Sequence, residues 1–147
     1  MYYNIAMICF CAGIAVYDIK TFRIPDIALI AFAVVMIIME GSQPYAFLFS
    51  RLATAAASFF LFGAVWYITK GIGLGDVKYA ALLGYLLGPD KLVITFIVTA
   101  LLSVVIYLAG VTLFHWTKTK KIPYAPFLSA GAAASLFVNY NPAGGVI

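Results

Sequence analysis

Charged side chains are scarce in this chain: Asp, Glu, Lys and Arg make up 10% of 147 residues, whereas 65% are hydrophobic. A water-soluble domain carries about a quarter charged residues, so there is too little polar surface here to cover a globule in water. The solvent is a bilayer, and the chain reads as an integral membrane protein. Histidine occurs once and cysteine twice, as Cys9 and Cys11. Two positions apart on a helix, the two thiols point to nearly opposite faces, which excludes a mutual disulfide. With a single histidine they have no partners for a zinc set, and they read as small apolar residues. No metal and no cofactor is expected. The net charge of +4 does not point to nucleic acid, because the basic residues stand singly or in one short cluster between apolar runs, as topology signals do. No low-complexity tract or internal repeat is present, so residues 1–147 are expected to form a single membrane-embedded domain.

What is present is a series of apolar runs. Polar or Gly/Pro breaks divide them into six expected helices, at about 3–17, 26–39, 47–68, 76–87, 92–116 and 126–138. The third and fifth are comfortable spans. The first lacks the basic start and the small-residue cleavage pattern of a signal peptide and reads as a retained helix. The fourth ends at Gly88-Pro89 and is the shortest; it reaches across about 18 Å of a core ~30 Å thick. If it meets the far face, Asp76 at its start is recessed below the near one, and polar access requires a water-filled notch. Small residues spaced for close helix approach occur at Ala53, Ala57 and Gly63 on the third run, and at Ala130, Gly131, Ala134 and Ser135 on the sixth.

The expected fold is all-α, a compact bundle of about six transmembrane helices with both termini non-cytoplasmic. Placing loops 19–25, 69–75 and 117–123 on one face gathers Lys20, Arg23, Lys70, Lys78, Lys118, Lys120 and Lys121 there, leaving Lys91 and Arg51 opposite. That bias assigns the basic face to the cytoplasm, and Asp18, Asp26 and Asp76 fall on it.

Two of these acids stand out. Asp76 follows a glycine-rich stretch, Gly71-Ile72-Gly73-Leu74-Gly75, at the entrance to an apolar run. It reads either as a helix N-cap or as a functional group, since carboxylates and loosened backbone at the edge of hydrocarbon persist mainly where they serve a site. Gly73 and Gly75 leave that stretch free to adopt positive φ or to approach another segment closely. Asp18 sits at the C-terminal end of the first run, where an acid opposes the helix dipole. Two carboxylates within hydrogen-bond reach cannot both ionise easily. One holds a proton, and such a pair can activate water as base while polarising a carbonyl as acid.

The segment Gly73-Leu74-Gly75-Asp76 resembles the GxGD motif of intramembrane aspartyl proteases. Asp18-Ile19-Lys20-Thr21-Phe22-Arg23-Ile24-Pro25-Asp26 resembles the other signature of type IV prepilin peptidases, an aspartate followed seven residues on by the proline of Ile-Pro-Asn. Ile122-Pro123-Tyr124-Ala125-Pro126-Phe127-Leu128 is similar to that family's Pro-Phe-Gly-Pro-Phe. Presenilin-like proteases share GxGD, and Tyr17-Asp18 matches their Tyr-Asp, but size and Ile24-Pro25 favour the prepilin group. The resemblance implies that Asp18 and Asp76 are a catalytic pair with no metal. It implies an enzyme of the cytoplasmic (inner) membrane that removes short basic leaders from type IV pilin-like precursors. Gly73, Gly75, Lys78, Pro25, Asp26 and Pro126 would then bind substrate or support the loops. Larger members carry a methyltransferase region with a four-cysteine zinc site, for which this chain has too few cysteines, so the short peptidase-only form is expected.

Two departures from the family pattern are visible. Asp26 replaces Asn and reads as a cap of the second helix or as a third acid facing the pair. Tyr124-Ala125 replaces Phe-Gly. Lys78 could hold a substrate carbonyl, balance the charge of the pair or set topology. Two other function classes fit less well. A proton-coupled transporter or channel would need acids along a path, yet the helices between Asp76 and the opposite-face Asp90 and Glu40 lack them. A catalytically silent membrane subunit of a pilus assembly system would tolerate loss of either aspartate.

Overall fold

A computed structural model describes residues 2–41, 45–69, 71–113, 123–138, 140–141 and 145–146. These residues form five helices: α1 (Tyr2–Thr21), α2 (Asp26–Glu40), α3 (Tyr45–Thr69), α4 (Leu74–Leu113) and α5 (Ala125–Phe137). A two-residue antiparallel pairing of β1 (Tyr140–Asn141) with β2 (Gly145–Val146), not foreseen from the sequence, follows α5. Three stretches are long and apolar enough to cross a membrane: Tyr2–Thr21, Leu48–Thr69 and Leu74–Thr112.

The last of these is too long for one crossing, at 39 residues or about 58 Å. It breaks where the sequence expects, because Gly88 takes φ 72°, ψ 179° and Pro89 opens the next turn. The contacts with α5 show that the chain reverses there. Along α5, Tyr124 feels the charge of Asp76 and Ser129 meets Tyr79, so the first arm of α4 (74–87) runs parallel to α5. Phe127 meets Thr99 and Gly131 meets Thr95, so the second arm (89–113) runs antiparallel to it. Counting both arms, the described chain has six helical segments.

The first arm is the centre of the bundle. Val77, Tyr79, Ala80, Leu83, Leu86 and Leu87 are all buried and occupy one half of its circumference, with Lys78 exposed and Leu82 and Tyr85 half-buried on the other. α1 packs mainly against α5, its buried stripe being Met7, Cys11, Ile14 and Asp18, at spacings of four, three and four. α2 joins through Leu29, Phe32 and Met36, with Phe32 stacked on Phe10 at 5.0 Å. Large apolar side chains such as Ile27, Ile38, Phe60, Ile68 and Leu101 cover the outside, a surface suited to hydrocarbon.

Two expectations about the helices are corrected. α1 does not end at Tyr17. It continues through Thr21, with Lys20 in the last turn where a cation suits the dipole, and stops at Phe22, whose φ of 52° is left-handed. On α3, Ala53 and Ala57 are exposed and a Cβ on Gly63 would meet nothing within 4 Å. The packed face is instead Thr54, Ala55 and Ser58. There Gly84 of α4 comes so close that a Cβ would lie 2.6 Å from Ser58 Oγ. On α5 the reading holds for Gly131, where a Cβ would lie 2.4 Å from the Thr95 carbonyl oxygen.

Candidate active site

Asp18 sits in the last turn of α1, against its own helix dipole, and the bundle gives it a different dipole to serve. Its Oδ2 accepts the backbone N–H of Ala125 at 3.2 Å. Ala125 is the first residue of α5, so this N–H has no partner inside its own helix. The next residue, Pro126, has none to offer, a position where proline costs nothing. The amides of Phe127 and Leu128 turn back to the Tyr124 carbonyl at 3.1 and 3.3 Å. Asp18 thereby caps α5 from another helix.

Asp76 is not an N-cap. Gly73 holds that position, accepting the amide of Val77 at 3.4 Å, and Asp76 lies in the first turn of α4. Its Oδ2 reaches back to the Gly73 N–H at 3.0 Å, half of a capping box whose other half glycine cannot supply. The second oxygen, Oδ1, is buried and has no hydrogen-bond partner among the described residues. Unpaired buried carboxylate oxygens are rare enough to call for an explanation.

The glycines of the motif are used for close approach; positive φ in the described glycines is confined to Gly41 and Gly88. A Cβ on Gly73 would crowd Asp76 Oδ2 at 3.3 Å. One on Gly75 would stand 3.1 Å from Ile24 Cβ and 3.4 Å from Ile24 N. The α1–α2 loop therefore lies directly on the start of α4, with Ile24 buried against it.

The two carboxylates come from opposite sequence directions into one buried region. Asp18 is 4% and Asp76 7% exposed, and the charge of Asp18 acts on Asp76. Each accepts an N–H at the start of a helix, so two positive helix ends converge on the pair. Tyr124 lies beside them, its ring 6.1 Å from Phe62 and 6.0 Å from Phe127. Burial pushes the Tyr124 phenol above its usual range, against the lowering effect of a hydrogen bond with Ser103, and the Asp76 charge adds to the rise. The hydroxyl is therefore a persistent donor.

The remaining sequence-derived positions divide. Pro25 precedes α2 and its carbonyl accepts the amides of Ala28 and Leu29 at 3.0 and 3.4 Å, so it starts that helix. Asp26 neither caps α2 nor faces the pair. It is the first residue of the helix, and its oxygens take the Lys78 ammonium at 2.8 and 2.9 Å. The ion pair is exposed and stands over a shallow groove lined by Leu29, Ile30, Ala33 and Leu82. Lys78 thus ties α2 to α4, pairing with Asp26. Lys70, His115 and the Lys118–Lys121 cluster lie outside the described residues.

The sequence reading passed over Tyr79 and Ser129. Tyr79 is fully buried and meets Ser129 Oγ at 2.8 Å, and Ser129 Oγ donates to the Cys11 carbonyl at 2.9 Å. The available signal was helical spacing, since Tyr79 follows Asp76 by three positions and Cys11 precedes Asp18 by seven.

Comparison with known proteins gives one family. The sequence profile of the type IV leader peptidase family matches residues 5–108. The chain is similar to a prepilin leader peptidase/N-methyltransferase of Bacillus subtilis (strain 168), 31% identical over 120 residues that cover 81% of this chain and 48% of that protein. It is also similar to a protein of the same description from Burkholderia pseudomallei (strain 1026b), 35% identical over 68 residues, 46% of this chain and 22% of that one. The chain thus spans about half the length, or less, of these relatives. No solved structure matches.

Proposed function

Because the chain belongs to the type IV leader peptidase family, we propose that it is a membrane aspartyl endopeptidase. Its substrates are type IV pilin-like precursors, from which it removes the leader at the cytoplasmic face of the inner membrane. Asp18 and Asp76 are the catalytic pair. The observation that carries this reading is the meeting of two enclosed carboxylates, each held through one oxygen by a helix-start N–H, with Asp76 Oδ1 left without a partner among the described residues. The six helical segments cross the membrane in turn, with the basic loops inside, as one domain.

In this mechanism one carboxyl of the pair is protonated and the other ionised. The ionised group takes a proton from water as the water oxygen attacks the scissile carbonyl carbon. The protonated group gives its proton to the carbonyl oxygen. In the second step the C–N bond breaks, the nitrogen takes the proton acquired from water, and the other carboxylate recovers its own from the diol. General acid–base help of this kind contributes roughly 10²–10⁴-fold per group. The backbone N–H donors hold one oxygen of each carboxylate still, leaving the other to exchange protons. Ile24 and Tyr124 keep bulk water away from the pair. Pro25, Gly75 and the Asp26–Lys78 bridge support the loop that covers it. Methyl transfer, part of the relatives' description, is not assigned to this chain.

The test is co-expression with pilin-like precursors from the same genome, with product masses read by mass spectrometry, beside Asp18→Asn and Asp76→Asn. Leader removal by the wild type and by neither variant is expected. Cleavage that survives both substitutions would end the aspartyl mechanism.

A further inference from the structure

Tyr79 and Ser129 belong to no part of the mechanism above, yet both are buried polar residues in the interior of the bundle. The proton of Ser129 is committed to the Cys11 carbonyl at 2.9 Å, so the 2.8 Å contact with Tyr79 requires the phenol to donate. The chain of bonds runs Tyr79 to Ser129 to Cys11, from α4 through α5 to α1. All three residues are at most 5% exposed. These helices also bring the aspartates together: α1 carries Asp18, α4 carries Asp76, and α5 presents the N–H that holds Asp18. Tyr79 lies one turn beyond Asp76 on the same arm, and Ser129 one turn beyond Ala125.

We infer that the Tyr79–Ser129–Cys11 bridge is a positioning device that fixes the separation and register of Asp18 and Asp76; the inference rests on the peptidase reading. A phenylalanine would fill the site of Tyr79 with no polar group to satisfy, so the hydroxyl supplies direction rather than volume. In a bilayer, helices gain little from hydrophobic burial against one another, and contacts of this kind set how far one can slide past the next. Small residues sharpen the effect. Gly131, two positions after Ser129, lets α5 close onto the second arm of α4, so α5 is held between both arms. Neither hydroxyl touches the pair; both act through the helices.

The test uses the full chain. Tyr79→Phe is expected to lower kcat about tenfold with KM unchanged, since a displacement of about 0.5 Å at the reacting groups has that scale. Ser129→Ala, which strands the phenol, is expected to lower it further, and Tyr79→Phe/Ser129→Ala together no further than Ser129→Ala alone. A second measurement is independent of catalysis. In a Cys9→Ala/Cys11→Ala background, Asp18→Cys and Asp76→Cys are joined with a short bis-thiol reagent, and the yield is compared with and without Tyr79→Phe. A clear loss of yield supports the inference. An unchanged yield overturns it whatever the kinetics show. A wild type that cuts no precursor overturns the peptidase reading alone, and the cross-linking result still decides the bridge.

Discussion

Gly75→Ala separates stability from chemistry at one atom. The added Cβ would stand 3.1 Å from Ile24 Cβ and 3.4 Å from Ile24 N, so the loop must retreat by a few tenths of an ångström. Alanine in place of helical glycine stabilises by about 1 kcal/mol, and the tight contact costs about the same. Thermal unfolding in detergent should therefore shift by no more than a few degrees. Catalysis has no such compensation. Displacement of a reacting group by 1 Å can cost about a hundredfold, so about 0.3 Å at Asp76, the next residue, lowers kcat about fourfold. Gly75→Val, whose branches need several times that room, should lose at least about a hundredfold. The assay is cleavage of a precursor by purified enzyme in lipid nanodiscs, with melting followed in parallel. If Gly75→Val keeps wild-type kcat, or if Gly75→Ala fails to fold, the packing of Ile24 on Gly75 does not set the position of Asp76.

Other outcomes follow from the same contacts. Asp18→Asn keeps an oxygen to accept the Ala125 N–H and should abolish cleavage while melting close to wild type, whereas Asp18→Ala also removes the cap of α5 and should cost about 1 kcal/mol more. Denaturant titration distinguishes the two, and equal stability would mean that the cap contributes nothing. Gly131→Ala drives a Cβ to 2.4 Å from Thr95 O and 2.5 Å from Thr99 Oγ1 and should destabilise by about 2 kcal/mol or more. Gly63→Ala, with open space around it, should be neutral or stabilising by up to about 1 kcal/mol. Lys78→Ala breaks an exposed ion pair and should cost about 0.5 kcal/mol, an effect that 1 M salt erases. On the proposed mechanism the pair works half-protonated, so kcat/KM should fall on both the acid and the alkaline side, and a pH profile flat on either side would exclude the dyad.

Much of this arrangement is legible in the chain itself. Scarcity of charge pointed to the membrane, and Gly88-Pro89 marked the break inside α4, whereas the buried stripe Met7-Cys11-Ile14-Asp18 emerged only with the structure. The packed face of α3 was not legible. All sides of that helix are apolar and rich in small residues, so Ala53 and Gly63 look no different from Thr54 and Ala55 until a neighbour is present. Partners far apart in sequence were also hidden. Asp26 looks like a helix cap because its cation lies 52 residues away, and the phenol of Tyr79 looks like ordinary core because its acceptor lies 50 residues away. The opposition of Asp18 to its own helix is visible in the sequence, but the helix it complements begins 107 residues later.

That last separation bears on biosynthesis. When the ribosome has completed α1 and the first arm of α4, both acids exist but Asp18 has no amide to hold it. The second arm and α5 must follow, and α5 must settle between the earlier helices, before the first helix receives its anchor. An insertion intermediate therefore carries the two acids without their geometry. On the proposed function, peptide-bond cleavage, a hazard to any nascent membrane protein nearby, would be withheld until α5 is in place.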